Sequence, residues 1–135
     1  MSELVDEGLV GYLGCPNMAA WDLVEADWTA RTWGFQNFVS AQNEYSLYNR
    51  TAEVELVPAS LHLGVGILPY FPLAYGLLTG KYRRGEGAPA GSRLEAKAQA
   101  PRLEKADWDR IEALKAFAAE RDTEVLQVAM GGMAG

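Results

Sequence analysis

The stretch VGILPYFPLAYGLLTGKY (Val65 to Tyr82) decides how this chain folds. Its opening, VGILPY, is almost wholly apolar and reads as a strand buried on both faces. The fourteen positions from Pro69 to Tyr82 then hold two prolines, four aromatics, two glycines and one lysine. Proline fixes φ and glycine frees it, so the backbone here is directed rather than loose. Two readings stand side by side: an ordinary loop, or a cradle for a flat ring and a phosphate.

Similar runs lie upstream. LVGYLG (Leu9 to Gly14) is a short apolar strand closed by glycine, and FVSAQNEY (Phe38 to Tyr45) is a strand whose tail turns polar. Between them AAWDLVEADWTARTW places Trp21, Val24 and Trp28 at helical spacing and stops at Gly34. TAEVELVPASLHLG reads as a second helix, with Thr51 as its cap, Val54, Val57 and Leu61 inward, and Pro58 tolerable in a first turn or at a kink. The three strand starts lie ~27 to 29 residues apart, the length of a βα unit, so the fold class is α/β with a parallel sheet. After the third strand, residues 83–105 are rich in glycine, proline and charge and read as a lid-like loop, mobile or disordered. WDRIEALKAFAAERD then forms an amphipathic helix, with Trp108, Ile111, Leu114 and Phe117 at steps of three.

Bulk composition narrows the partners. The 135 residues carry 12 basic and 18 acidic side chains, a net charge of -6, which offers nothing to nucleic acid or an anionic membrane. No apolar run approaches the ~20 residues of a membrane span. Cys15 and His62 are each the only residue of their type, so neither a disulfide nor a Cys/His metal cluster is expected, and a reducing, cytoplasmic setting follows. Both ends stop inside amphipathic patterns, which reads as truncation of a larger domain at either end of residues 1–135.

Parallel βα units build two architectures. A doubly wound sheet binds phosphates through a glycine-rich turn, yet no G-x-G-x-x-G or G-x-x-x-x-G-K-[ST] follows any of these strands. A (β/α)8 barrel needs ~250 residues, and this chain holds about half of that.

GYLGCPN, FVSAQNEYSLYNR and GILPYFPLAYGLLTGKYRRGEGAPAGSRL, in this order, closely resemble the second half of the aldo/keto reductase family, in the branch related to potassium-channel β-subunits. The resemblance implies a partial (β/α)8 TIM barrel comprising about strands 5 to 7, NADPH as cofactor, and reduction of aldehydes or ketones. It places Asn17 and Gln42 on the nicotinamide carboxamide, for which side-chain amides offer both donor and acceptor. It places Tyr70 against the nicotinamide ring, Phe71, Leu73 and Ala74 along the pyrophosphate, and Lys81 and Arg93 on the phosphates.

The chain also departs from the family pattern. Pro16 stands where the family commonly has serine, and Tyr75 where a small or flexible residue is usual; either change weakens the expected cofactor contacts. The family's catalytic Asp, Tyr, Lys and His come from earlier strands, and no catalytic residue is assigned in this chain. The expectation is therefore the cofactor-binding half of an oxidoreductase, inactive as a chain alone, with self-association or a complementing N-terminal half expected as the partner that rescues its fold. The alternative is a non-catalytic nucleotide-binding module serving regulation or assembly.

Taken without the family, Tyr70 is a packing aromatic, Lys81 and Arg93 are solvated charges, and Asn17 is a helix cap. Gln42 is harder to dismiss, because a buried amide needs partners. Cys15 reads as a small buried apolar residue, and His62 as structural or exposed. Trp21, Trp28, Trp33 and Trp108 are expected to pack helices onto the sheet. Glu25 and Asp27, with Arg31 in reach, read as a solvated face. The sheet's uncovered face is expected to be rich in Leu, Ile and Val, which makes the fold marginal.

Overall fold

A computed structural model describes residues 1–133; Ala134 and Gly135, the last two positions of the expected domain, lie outside the described residues. The chain forms two compact units. The first comprises Met1–Tyr45 with Arg50–Tyr70, and the second Ser46–Asn49 with the residues from Phe71 onward. The boundary between Tyr70 and Phe71 falls inside the stretch quoted above.

The first unit is α/β. A five-residue helix, α1 (Ser2–Asp6), precedes β1 (Leu13–Pro16), α2 (Ala20–Trp33), β2 (Phe38–Glu44), α3 (Leu56–Leu63) and β3 (Gly66–Tyr70). The strands are all parallel and lie in the order β1-β2-β3, the order of the sequence, with no reversal of the kind a doubly wound sheet has. Register brings Cys15, Ala41 and Ile67 side by side, and Pro16, Gln42 and Leu68 side by side on the other face. Leu23 of α2 and Leu56 of α3 join Cys15, Ala41 and Val65 in one buried cluster, so both helices cover the same face.

Several expectations for this unit need correction. β1 starts at Leu13 and not Leu9, because the Leu9 and Val10 amides both donate to the Leu4 carbonyl at the end of α1, at 2.9 and 3.0 Å. Those donors are spent before a ladder can use them. Trp21, Trp28 and Trp33 are 66, 72 and 71 % exposed. The inward residues of α2 are Leu23 and Ala30, seven positions apart on the opposite side of the helix from the Trp21/Val24/Trp28 stripe. Periodicity found a real stripe, but α2 has two apolar faces and the slimmer one meets the sheet. In α3 the buried residues are Leu56 and Ser60, while Val54 and Leu61 are exposed. Thr51 opens a separate 3-10 turn, Thr51–Glu53, whose N-cap position is Arg50 and not Thr51. Pro58 sits in the first turn of α3, where its missing N–H costs nothing. The uncovered sheet face bears Gly14, Pro16, Ser40, Gln42, Gly66 and Leu68, so only Leu68, 55 % exposed, is a large aliphatic there. It is not the Leu/Ile/Val surface expected.

The second unit contains no strand among its described residues. A kinked 3-10 segment (Ala74–Thr79) leads to α4 (Ala100–Glu104), α5 (Trp108–Ala119) and α6 (Val125–Gly131). Leu77, Leu78, Tyr82, Leu94, Leu103 and Ile111 form its core, with Leu47, Tyr48 and Trp108 packed against it. Residues 83–105, the expected lid-like loop, contain the 3-10 turn Arg93–Glu95 and α4, and bury Leu94 and Leu103. The Tyr82 hydroxyl accepts from the Leu94 amide at 3.3 Å, and Lys115 Nζ donates to the Tyr82 carbonyl at 2.7 Å. In α5, Asp107 caps the helix by accepting from the Arg110 amide, and Ile111 and Ala118 point inward. Phe117 is exposed, contrary to expectation, since a step of three lags a helical turn by ~60° and three such steps carry Phe117 opposite Trp108.

Among the described residues, no helix is long and apolar enough to cross a membrane, and no group of three or more His, Cys, Asp or Glu could hold a metal ion.

Candidate functional site

In the first unit the site residues gather at the carboxyl ends of the strands. Asn17 follows β1 with φ at 52°, in the left-handed region where asparagine is among the few side chains at home. Three hydrogen bonds set it there. Its amide donates to the Gln42 carbonyl at 2.9 Å, the Tyr70 hydroxyl donates to its Oδ1 at 2.8 Å, and Asn43 Nδ2 donates to the neighbouring Met18 carbonyl at 3.1 Å. Asn17 is therefore not a helix cap: α2 starts from Ala19, whose amide donates to Asp22 at 3.3 Å. The carboxamide N–H groups of Asn17 are left without a protein partner among the described residues. Gln42 neighbours Pro16 and Leu68 in register and is exposed, so its amide meets solvent and requires no buried partner. Asn43 is a positioning residue that sequence reasoning missed; the one signal was a second amide directly after Gln42.

In the second unit the backbone itself is unusual. Phe71, Ala74 and Tyr75 all have positive φ, at 53, 47 and 59°, followed by Gly76 at 99° and Gly80 at 84°. Each left-handed residue with a Cβ costs roughly 1–2 kcal/mol, and such costs concentrate where a chain is shaped for a ligand. The result is a cavity of about 310 Å³ walled by Phe71, Pro72, Leu73, Tyr75, Lys81 and Arg93, with Gly76 between. A Cβ on Gly76 would make ordinary contact with the Tyr82 ring at 3.4 Å and Lys81 Cε at 3.6 Å, so glycine is called for here by its φ of 99° and not by lack of space. Ala74 does not line the cavity; it is buried in the core beneath. The Phe71 and Tyr75 rings lie 4.0 Å apart, and the Arg93 guanidinium stands 5.0 Å from the first and 5.5 Å from the second. Lys81 Nζ is 5.3 Å from the Tyr82 ring. Neither Arg93 nor Lys81 has a carboxylate partner among the described residues, so both charges remain available to an anion.

The remaining candidates are structural. Asp27 accepts from Arg31 at 2.7 Å and from Asn37. Cys15 is buried, with its thiol pushed up by desolvation and Sγ 3.6 Å from the Ser40 carbonyl, so it is no nucleophile. His62 is exposed on the last turn of α3. Beyond the site, Glu53 accepts two 2.7 Å bonds from Arg50 and one of 2.7 Å from Tyr45. The Arg50 guanidinium, then the Tyr45 hydroxyl, hold the Glu53 carboxyl below the usual range, and the same Glu53 contact pushes the Tyr45 phenol up.

A family profile described as "Aldo/keto reductase family" matches residues 1–131. An uncharacterized oxidoreductase, YrpG, of Bacillus subtilis is 36% identical over 121 residues, covering 90% of this chain and 36% of the relative. The versiconal hemiacetal acetate reductase of Aspergillus parasiticus is 31% identical over 134 residues, 96% of this chain and 38% of the relative. Protein tas of Escherichia coli is 38% identical over 93 residues, 69% of this chain and 27% of the relative. The chain thus spans little more than a third of the length of the curated relatives it matches. A match over 131 residues that includes every site segment described above leaves one conclusion: this chain belongs to the aldo/keto reductase family.

Proposed function

We propose that this chain supplies the cofactor-binding part of an NADPH-dependent oxidoreductase that reduces aldehydes or ketones, its β1, β2 and β3 being the fifth to seventh strands of a (β/α)8 barrel. The observation that carries the reading is the cavity walled by Phe71, Pro72, Leu73 and Tyr75, with the unpaired cations Lys81 and Arg93 on its rim. An aromatic and aliphatic wall next to two free positive charges suits a ligand that joins a flat apolar ring to phosphates. Strand order in sequence, with helices on one face only, supports the barrel arc.

In this reading Asn17, held by Tyr70 and the Gln42 carbonyl, offers its free carboxamide N–H groups, and Gln42 its exposed amide, to the carboxamide of the nicotinamide. Lys81 and Arg93 neutralise the pyrophosphate, while Phe71 and Leu73 exclude water beside it. The bound dihydronicotinamide would supply the hydride. Reduction also needs a general acid at the carbonyl oxygen, and none of the residues gathered here is placed for that role. We therefore assign the acid to a further polypeptide segment, in cis or from a complementing chain.

Titration of the purified 135-residue chain with NADPH, followed by nicotinamide fluorescence, tests the reading. Saturable binding with no aldehyde reduction is the expected result. Absence of binding at millimolar NADPH overturns the cofactor assignment, and turnover by the chain alone overturns the missing acid.

A further inference from the structure

Arginine in this chain is habitually paired with a carboxylate. Arg31, Arg50, Arg83, Arg84, Arg110 and Arg121 each contact an Asp or Glu within 4.0 Å. Among the described residues Arg93 and Arg102 are the exceptions, and both stand against one aromatic pair, Phe71 and Tyr75. With 18 acidic residues to 12 basic ones, carboxylate partners are not scarce. These two guanidiniums are held by rings instead.

The geometry is a stack. Phe71 lies 4.0 Å from the Tyr75 ring centroid and the Arg102 guanidinium 3.8 Å from it. Two groups approach one ring that closely only from opposite faces, so Tyr75 is sandwiched between them. Arg93 rests on the Phe71 side, at 5.0 Å. A stacked guanidinium uses its flat face and keeps its N–H edge, which is the part that recognises phosphate. Among the described residues Arg102 gives only Nε, to Gln99 Oε1 at 2.8 Å. Tyr75 takes up this position with φ at 59°, a conformation that disfavours a residue with a Cβ.

We infer that Tyr75, itself part of the cavity wall, is a stacking shelf that holds Arg102 on its face away from Phe71, just outside the residues that line the cavity, and that Arg102 is a further binding residue reaching from there to a diphosphate group. Lys81, Arg93 and Arg102 then present three positive charges without carboxylate partners, matched to a diphosphate more than to a single phosphate ester. The inference rests on the cofactor reading only for the cavity's being a phosphate site. It alters the meaning of Tyr75, which as a departure from the family pattern was expected to weaken binding.

The test is calorimetric titration of inorganic pyrophosphate into the intact 135-residue chain at low salt. Arg102→Gln should weaken binding about tenfold, the loss of one charge-assisted contact, and make its salt dependence shallower. Tyr75→Phe, which keeps the ring, should bind as the unaltered chain does, while Tyr75→Leu should lose as much as Arg102→Gln. Combining Tyr75→Leu with Arg102→Gln should lose little more. Lys97→Gln, an exposed charge in the same segment, serves as the control. Folded Arg102→Gln and Tyr75→Leu chains that bind within about twofold of the unaltered one would overturn the inference, as would an unaltered chain that binds no pyrophosphate at millimolar concentration. NADPH is titrated in parallel. Arg102-dependent pyrophosphate binding without NADPH binding keeps this inference and removes the nicotinamide reading; NADPH binding indifferent to both variants does the reverse.

Discussion

The first unit is organised by a sheet and the second has none among its described residues, and their site residues are fixed by different physics. Around Asn17 the positioning forces are three conventional hydrogen bonds hung from strand ends. Around Tyr75 they are left-handed backbone, ring stacking and cation–π contacts, over a core of helices and turns. A sheet supplies regular anchor points, so a site residue there needs only a short polar tie. Where no sheet exists, side-chain packing carries the position, and changes to packing should be felt most.

The largest expected effect follows directly. Leu78 is fully buried in the second unit's core, and Leu78→Ala should cost roughly 2–5 kcal/mol in urea unfolding followed by circular dichroism. A loss below about 1 kcal/mol would break the comparison, since it would mean the sheetless unit is not held by this cluster.

Next in size is the backbone itself. Gly76→Ala forces a Cβ into φ of 99° with the Tyr82 ring at 3.4 Å, and should cost roughly 1–2 kcal/mol. Gly87→Ala, in the same unit, has open space around it and no positive φ, and should be neutral or slightly stabilising. Equal losses at the two positions would show that the left-handed run is not what shapes the cavity wall.

This contrast also sets what could be read beforehand. Strand segments in the first unit were legible because short apolar runs between helical patterns have few alternatives, and β2 and β3 begin within one residue of where those runs begin. Helix faces were not, because Trp21, Val24 and Trp28 form as good a stripe as Leu23 and Ala30, and only the tight approach to Cys15 and Ala41 selects the smaller residues. Asn17, Gln42, Tyr70, Lys81 and Arg93 entered through family resemblance; spacing alone left them as a cap, a strand residue, a packing ring and two solvated charges. The partners that position them were beyond reach. The Tyr70–Asn17 bond joins residues 53 positions apart, and the Tyr75 stack depends on φ values that no apolar period encodes.

Tyr70→Phe sharpens the comparison from the sheet side. It removes the 2.8 Å bond to Asn17 and should cost about 0.5–1.5 kcal/mol of stability. Its binding effect should be selective: NADPH affinity falls several-fold because Asn17 loses its orientation, while pyrophosphate affinity is unchanged. Arg93→Gln should weaken both ligands. If Tyr70→Phe weakens pyrophosphate as much as NADPH, the division between a ring-recognising and a phosphate-recognising set of residues fails.

The smallest expected effect lies away from both sets, at the partly exposed Tyr45–Glu53–Arg50 group of the first unit. The Arg50 guanidinium, and after it the Tyr45 hydroxyl, favour the ionised Glu53 and hold its carboxyl below the usual range in the folded chain. A depressed folded value means that the unfolded chain takes up the proton first as pH falls. The stabilisation is therefore complete above the ordinary carboxylate range and disappears as pH drops through the lowered folded value. Because the group is open to solvent and salt, the contribution is slight and should shrink further at high ionic strength. Comparing unfolding midpoints of the unaltered chain and Glu53→Gln across mildly acid pH isolates it: the two curves should be separated near neutrality and converge toward acid. A separation that stayed constant with pH would show that Glu53 acts there through shape and neutral hydrogen bonding, not through its charge, and that polar ties in the first unit need no ionisation to hold.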